Sequence, residues 1–124
     1  MTKTQPILIV DDDEDLREVM ALAVGSLGYE VETARDGAEA MQHLNEGPRP
    51  ALILLDMMMP EMDGEAVLSA VRHDDNFADI PVVLISGHIG AAQKADELRA
   101  NGCLTKPLEL DTLARTVERF VGHA

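Results

Sequence analysis

The chain has 124 residues, 46% of them hydrophobic and 27% charged, a composition that folds as one globular domain rather than remaining disordered. Its formal net charge of −13, from 23 acids against 10 Lys and Arg, argues against binding nucleic-acid phosphates or an anionic membrane surface. No apolar run reaches the length of a membrane span, the first aliphatic run is too short for a signal-peptide core, and the lone Cys103 fits a reducing cytosol, so a cytoplasmic location is expected.

Along the chain, the apolar spacing alternates between two periods. Residues 6–10 (PILIV) form a short, β-branched run without helical period and read as a buried strand. Over 13–27, Leu16, Val19, Met20, Ala23, Val24 and Leu27 fall at helical spacing, and Gly28 follows as the residue just past the helix end. Residues 30–34 (EVETA) alternate like a strand near a sheet edge. Residues 36–47 give a helix with Asp36 as N-cap, an apolar face of Ala38, Met41 and Leu44, and a Gly-Pro stop.

ALILL at 51–55 is a second buried strand, and 64–74 a helix carrying Ala66, Val67, Leu68, Ala70 and Val71 behind Asp63 as cap. PVVLIS at 81–86 is a third buried run, 91–101 a less apolar helix and 103–105 a short strand. Leu110, Leu113, Val117, Phe120 and Val121 space a final amphipathic helix over 109–121. Five strand-then-helix units imply an α/β fold whose parallel sheet is covered on both faces. Five strands fit the doubly wound, flavodoxin-like order 2-1-3-4-5 with five helices.

In such sheets ligands sit beyond the carboxyl ends of the strands, beside the point where strand order reverses. The residues arriving there are Asp11 and Asp12 after the first strand, Asp56 after the third, Ser86 closing the fourth, and Lys106 with Pro107 after the fifth. Two carboxylates about 5 Å apart repel by roughly 3 kcal/mol at an effective dielectric of about 20, so three of them need a cation, a shared proton or strong hydrogen bonds. Mg²⁺ meets that need, because it takes a few carboxylates, keeps several waters and completes its shell with phosphate oxygens. With Lys106 as a point charge and Ser86 as a hydrogen-bond partner, the set suits phosphoryl transfer to an Asp carboxylate.

The strings LIVDDDED, LLDMMMPEMDG, PVVLISG and LTKP, in this order, make the full chain resemble the receiver domain (CheY-like) of a two-component response regulator. The resemblance implies that Asp56 accepts a phosphoryl group from a histidine kinase or phosphotransfer protein. It implies that Asp11, Asp12, Asp56 and the backbone carbonyl of Met58 hold Mg²⁺, that Ser86 turns toward the phosphoryl group, and that Lys106 pairs with its oxygens. Pro107 is commonly cis in the family, Gly87 leaves room beside the phosphoryl group, and Met58 and His88 occupy positions that tune its lifetime. Such a chain is a signalling module rather than an enzyme; its chemistry is its own phosphorylation and autodephosphorylation, and its output is a changed protein-binding surface. Two positions depart from the pattern. Cys103 stands where the family has the Tyr or Phe whose inward rotation follows the hydroxyl's movement, and Leu108 stands where Phe is common.

Several residues have plainer readings. Asp13 reads as the cap of the first helix, with Glu14 and Asp15 in its first turn, favoured there by the helix dipole. Asp11-x-Asp13-x-Asp15 mimics a calcium loop, but Leu16 and Leu22 replace the required Gly and Glu. Met57, Met58 and Met59 read as adaptable filler, and Cys103 as a small buried hydrophobe. His43, His73, His88 and His123 lack metal-ligand spacing and read as surface residues, as does the helix end at His73-Asp74-Asp75.

Residues 1–124 are expected to be a single receiver domain without an output domain, acting on an unknown downstream protein or as a relay intermediate. Met1 and the short lead-in fit a native start; a receiver excised from a hybrid histidine kinase is the alternative. Two other classes share parts of the pattern. A haloacid-dehalogenase-type Mg²⁺ phosphatase would use Asp11-x-Asp13, but the residue expected at position 15 is absent and there is little room for a cap domain. A flavin carrier would need a Ser/Thr-rich phosphate loop after the first strand, and the chain has no such loop.

Overall fold

Runs of aliphatic residues buried on both sides build the centre of the molecule. The computed structural model describes residues 5–57, 64–87, 93 and 97–122. Strands β1 (Ile7–Val10), β2 (Val31–Ala34), β3 (Leu52–Asp56), β4 (Val82–Ser86) and β5 (Gly102–Thr105) form one parallel sheet in the order β2-β1-β3-β4-β5. This is the expected order, with its reversal between β1 and β3. Helices α1 (Glu14–Ser26), α2 (Gly37–Glu46), α3 (Gly64–Arg72) and α4 (Leu110–Val121) cover it. The further helix expected over 91–101 falls largely outside the described residues, and so does Asp63, the expected cap of α3.

Because successive strand residues face opposite sides, each strand feeds two cores. Leu8, Val10, Ile53, Leu55, Val82 and Leu84 pack with Leu44 of α2 and Val67, Leu68 and Val71 of α3. Ile7, Ile9, Leu52, Leu54, Val83 and Ile85 pack with Met20 and Val24 of α1 and Leu113 and Val117 of α4. β1, β3 and β4 are buried throughout, whereas edge strand β2 buries Ala34 alone. The alternation read in EVETA is that edge.

Local chemistry sets the element ends. Asp13 Oδ1 accepts from the N–H groups of Asp15 and Leu16 at 3.0 and 3.2 Å, so it caps α1 as expected. Asp36 Oδ1 does the same for α2 through Glu39 N–H at 2.8 Å. Gly28, with φ of 99°, turns the chain out of α1 in a conformation that side chains disfavour. Beyond α1, the Tyr29 hydroxyl donates to the carbonyl of Gly122, which follows α4.

At the far pole of the sheet, Arg72 at the end of α3 gathers carbonyls from two segments. Its guanidinium donates to Ile80 O at 3.0 Å, Ala78 O at 3.3 Å, Arg99 O at 3.0 Å and Asn101 Oδ1 at 2.7 Å. Asn101 Oδ1 also accepts the Val82 N–H at 2.9 Å, which ties the starts of β4 and β5 to α3.

Gly64 opens α3 hard against the end of β3. A Cβ there would strike the carbonyl oxygen of Asp56 and lie 2.8 Å from Met57 Cα. Gly25, on the exposed side of α1, has nothing within 4 Å of the same position. The two glycines should therefore respond oppositely to alanine. Gly64→Ala is expected to lower unfolding stability by about 1–3 kcal/mol through forced backbone displacement. Gly25→Ala is expected to raise it by about 0.5–1 kcal/mol through helix propensity. Urea titration of both variants checks the pair, and a destabilised Gly25→Ala or a neutral Gly64→Ala would contradict this packing.

Candidate functional site

The order reversal brings the carboxyl ends of β1 and β3 side by side, with Val10 level with Leu55. Asp11 follows β1 directly, and Asp56 is the last residue of β3, one position inside the strand rather than after it. Asp56 is 1% exposed and Asp11 is fully buried, while Asp12 reaches solvent. Each of the three offers a carboxylate oxygen, and these atoms lie within 4.8 Å of one another. The three acids expected to share a cation are brought together.

Asp11 is held firmly. Its N–H donates to Ala34 O at 3.1 Å, and its Oδ1 accepts the Asp13 N–H at 2.9 Å. Its Oδ2 is buried and finds no hydrogen bond among the described residues. Burial raises the pKa of this carboxyl above its ordinary value; the Asp13 N–H and the charge of Lys106 pull it down, and Asp12 and Asp13 push it up again. A buried carboxylate oxygen without a donor among the described residues, on an acid clustered with two others, fits a hard cation with oxygen ligands.

The positive partner comes from across the sheet. Lys106 Nζ lies 3.5 Å from Asp56 Oδ1, an ion-pair contact rather than a tight hydrogen bond. The Lys106 backbone is fixed by its N–H donating to Ser86 O at 3.0 Å, and its peptide bond to Pro107 is cis, as the resemblance implies. Ser86 is buried at 2% exposure at the end of β4, level with Thr105 of β5. The chain just past Asp56 is pinned by Met57 N–H donating to Ile85 O at 3.1 Å.

Gly87 is exposed, and a Cβ on it would meet Lys106 Cβ at 3.7 Å, an ordinary contact. The protein around it therefore tolerates a side chain, and only a group bound at the rim would be crowded. Cys103 is half-buried against the core shared with α2 and α3, and burial pushes its thiol pKa up. That is the setting of a small hydrophobe rather than of a reactive thiolate. Met57 packs on the same core as filler, whereas Met58, Met59 and His88 lie outside the described residues.

Asp13 spends its carboxylate on the α1 cap, which leaves no Asp11-x-Asp13 pair for dehalogenase-type chemistry. The reading of the sequence passed over Arg17. Its Nη1 donates to the backbone carbonyl of Asp11 at 2.9 Å. The signal available was an Arg four residues after the capping Asp, which places it on the first turn of a helix that leaves the acidic rim.

The response regulator receiver domain model matches residues 7–118. The chain is 34% identical over 117 residues to the DNA-binding dual master transcriptional regulator RpaA of Synechocystis, an alignment covering 93% of this chain and 48% of that protein. It is 32% identical over 119 residues to chemotaxis protein CheY1 of Helicobacter pylori, covering 94% and 96%. It thus spans about half the length of the first curated relatives and nearly all of CheY1. Among solved structures, a response regulator from Chloroflexus aurantiacus superposes with a TM-score of 0.90 at 31% identity, covering 98% of this chain and all of that one. Vibrio cholerae chemotaxis protein CheY4 gives 0.87 at 31%, covering 95% and 99%. The acidic charge speaks for this domain alone, since a longer relative is DNA-binding by name. No helix among the described residues is long and apolar enough to cross a membrane. Fold, rim and relatives agree: this chain belongs to the response regulator receiver domain family of two-component signalling.

Proposed function

We propose that Asp56 accepts a phosphoryl group from the phosphohistidine of a kinase or phosphotransfer protein, that Mg²⁺ held by Asp11, Asp12 and Asp56 assists, and that the output is a changed protein-binding surface. One observation carries this reading. Asp56 is buried, with two acids within 4.8 Å on one side and an ammonium at 3.5 Å on the other. By family likeness the backbone carbonyl of Met58 completes the ligand set.

In this reading an Asp56 carboxylate oxygen attacks phosphorus while the P–N bond breaks, and the electron pair returns to the imidazole nitrogen. The rigid end of β3 holds the nucleophile in line, and the Met57 N–H bond keeps it there. Lys106 takes charge on the transferred oxygens, and Ser86 donates its hydroxyl to one of them. A bound divalent cation supplies neutralisation of the phosphoryl oxygens and of the crowded acids. Hydrolysis of the acyl phosphate by water resets the domain.

Asp56→Asn is expected to abolish labelling by Mg²⁺ plus a small phosphodonor, with wild type gaining one phosphoryl group. Intact-mass spectrometry reads this directly, and undiminished labelling of the Asn variant would move the acceptor elsewhere.

Asp11→Asn tests the metal half separately. The amide keeps an oxygen for the Asp13 N–H, removes a buried charge and turns its N–H groups toward the neighbouring carboxylates. Without Mg²⁺ the variant is expected to exceed wild type in stability by about 1–3 kcal/mol, because an unpaired buried charge is lost. Added Mg²⁺ should then stabilise wild type and leave the variant unmoved. Thermal melts with chelator and with Mg²⁺ give both readings, and equal Mg²⁺ responses would remove Asp11 from the ligand set.

A further inference from the structure

Arg17 links the start of α1 to the acidic rim. Its backbone N–H donates to Asp13 O at 2.9 Å, which seats it on the first turn of α1 behind the capping Asp. Its guanidinium reaches back six residues to the Asp11 carbonyl at 2.9 Å. That carbonyl belongs to the peptide joining Asp11 to Asp12, two of the three acids that converge at the rim. The neighbouring peptide is held by the Asp11 N–H, which donates to Ala34 O of β2. The Asp11 rotamer is fixed in turn by the Asp13 N–H on Oδ1, and the buried Oδ2 has no hydrogen bond among the described residues.

We propose that Arg17 is a positioning residue for the metal site: it fixes the plane of the Asp11–Asp12 peptide so that both carboxylates meet one cation together. The assignment rests on reading the acidic cluster as the Mg²⁺ site. A planar guanidinium suits the task, since it presents rigid donors and stays charged at any working pH. Partners of ligand residues that lie outside the ligand set are known to matter in this way, because they set ligand orientation before the ion arrives.

Charge alone predicts the opposite sign. A guanidinium near a divalent ion repels it, so removing a mere charge would tighten Mg²⁺ binding, whereas removing a positioning contact loosens it. A merely structural Arg would lower stability and leave Mg²⁺ affinity unchanged.

The test measures Mg²⁺ affinity by titration calorimetry, and by the Mg²⁺-dependent rise in melting temperature, for wild type, Arg17→Met and Arg17→Lys at constant ionic strength. Arg17→Met keeps an apolar stem and is expected to bind Mg²⁺ about ten-fold more weakly. Arg17→Lys, with one ammonium able to reach the carbonyl, should fall between it and wild type. At saturating Mg²⁺, phosphorylation of Asp56 in both variants should return close to the wild-type extent. A folded Arg17→Met that binds Mg²⁺ as tightly as wild type, or more tightly, overturns the assignment while leaving the metal site intact. If Arg17→Met does not fold, Arg17→Lys decides alone, and wild-type affinity in it overturns the assignment. A wild-type protein that does not respond to Mg²⁺ overturns the reading of the site itself, and this role with it.

Discussion

Asp11 directly follows β1 and Asp56 is the last residue of the adjacent β3, and both acids are buried. Water cannot screen them there, so the repulsion of Asp11 and Asp56, joined by Asp12, is the constraint to which the rest of the rim answers. At the 4.8 Å separation that bounds the cluster, two such charges repel by roughly 3 kcal/mol at an effective dielectric of about 20. A fold stable by only about 5–15 kcal/mol does not carry that load for structure alone. A divalent cation bound among these acids would relieve that repulsion.

The answers to this constraint come from different elements and at different ranges. Lys106 sets one ammonium against Asp56 from the far side of the sheet, and its own backbone is fixed on Ser86. Asp13 is removed from the cluster by capping α1, and Glu14 and Asp15 follow it into the first helical turn, where acids are favoured. Five consecutive acids thus divide into two rim residues and three that belong to a helix start. Gly64 lets α3 begin against the Asp56 carbonyl, so the end of β3 is braced by backbone rather than by a side chain. The brace and the charge pair act on the same residue.

The sheet was legible because parallel strands covered on both faces must be continuous aliphatic runs, and PILIV, ALILL and PVVLIS are. The edge position of EVETA was legible from its alternation, and the caps Asp13 and Asp36 from their place before apolar spacing. The site acids became legible only through topology, since Asp11 and Asp56 are 45 positions apart in sequence and meet by strand order. Other features had no local signal. Arg17 on a helix surface reads as an ordinary exposed charge until its reach to Asp11 is seen. Arg72 binds carbonyl oxygens as far as 29 residues away, a pattern set by how the loops 78–80 and 99–101 fold back. Asp56 and Ser86 sit within their strands rather than past them because Asp56 pairs with Ile85 and Ser86 with Thr105.

The chain has one tyrosine and no tryptophan. Tyr29 is 5% exposed and its hydroxyl holds the Gly122 carbonyl behind α4. The near-ultraviolet signal of this protein is therefore dominated by a ring that faces away from the rim and is bonded to the end of the last helix. In titrations it acts as a reporter of the docking of α4. A ligand at Asp56 becomes optically visible to the extent that its binding is felt at that distant bond.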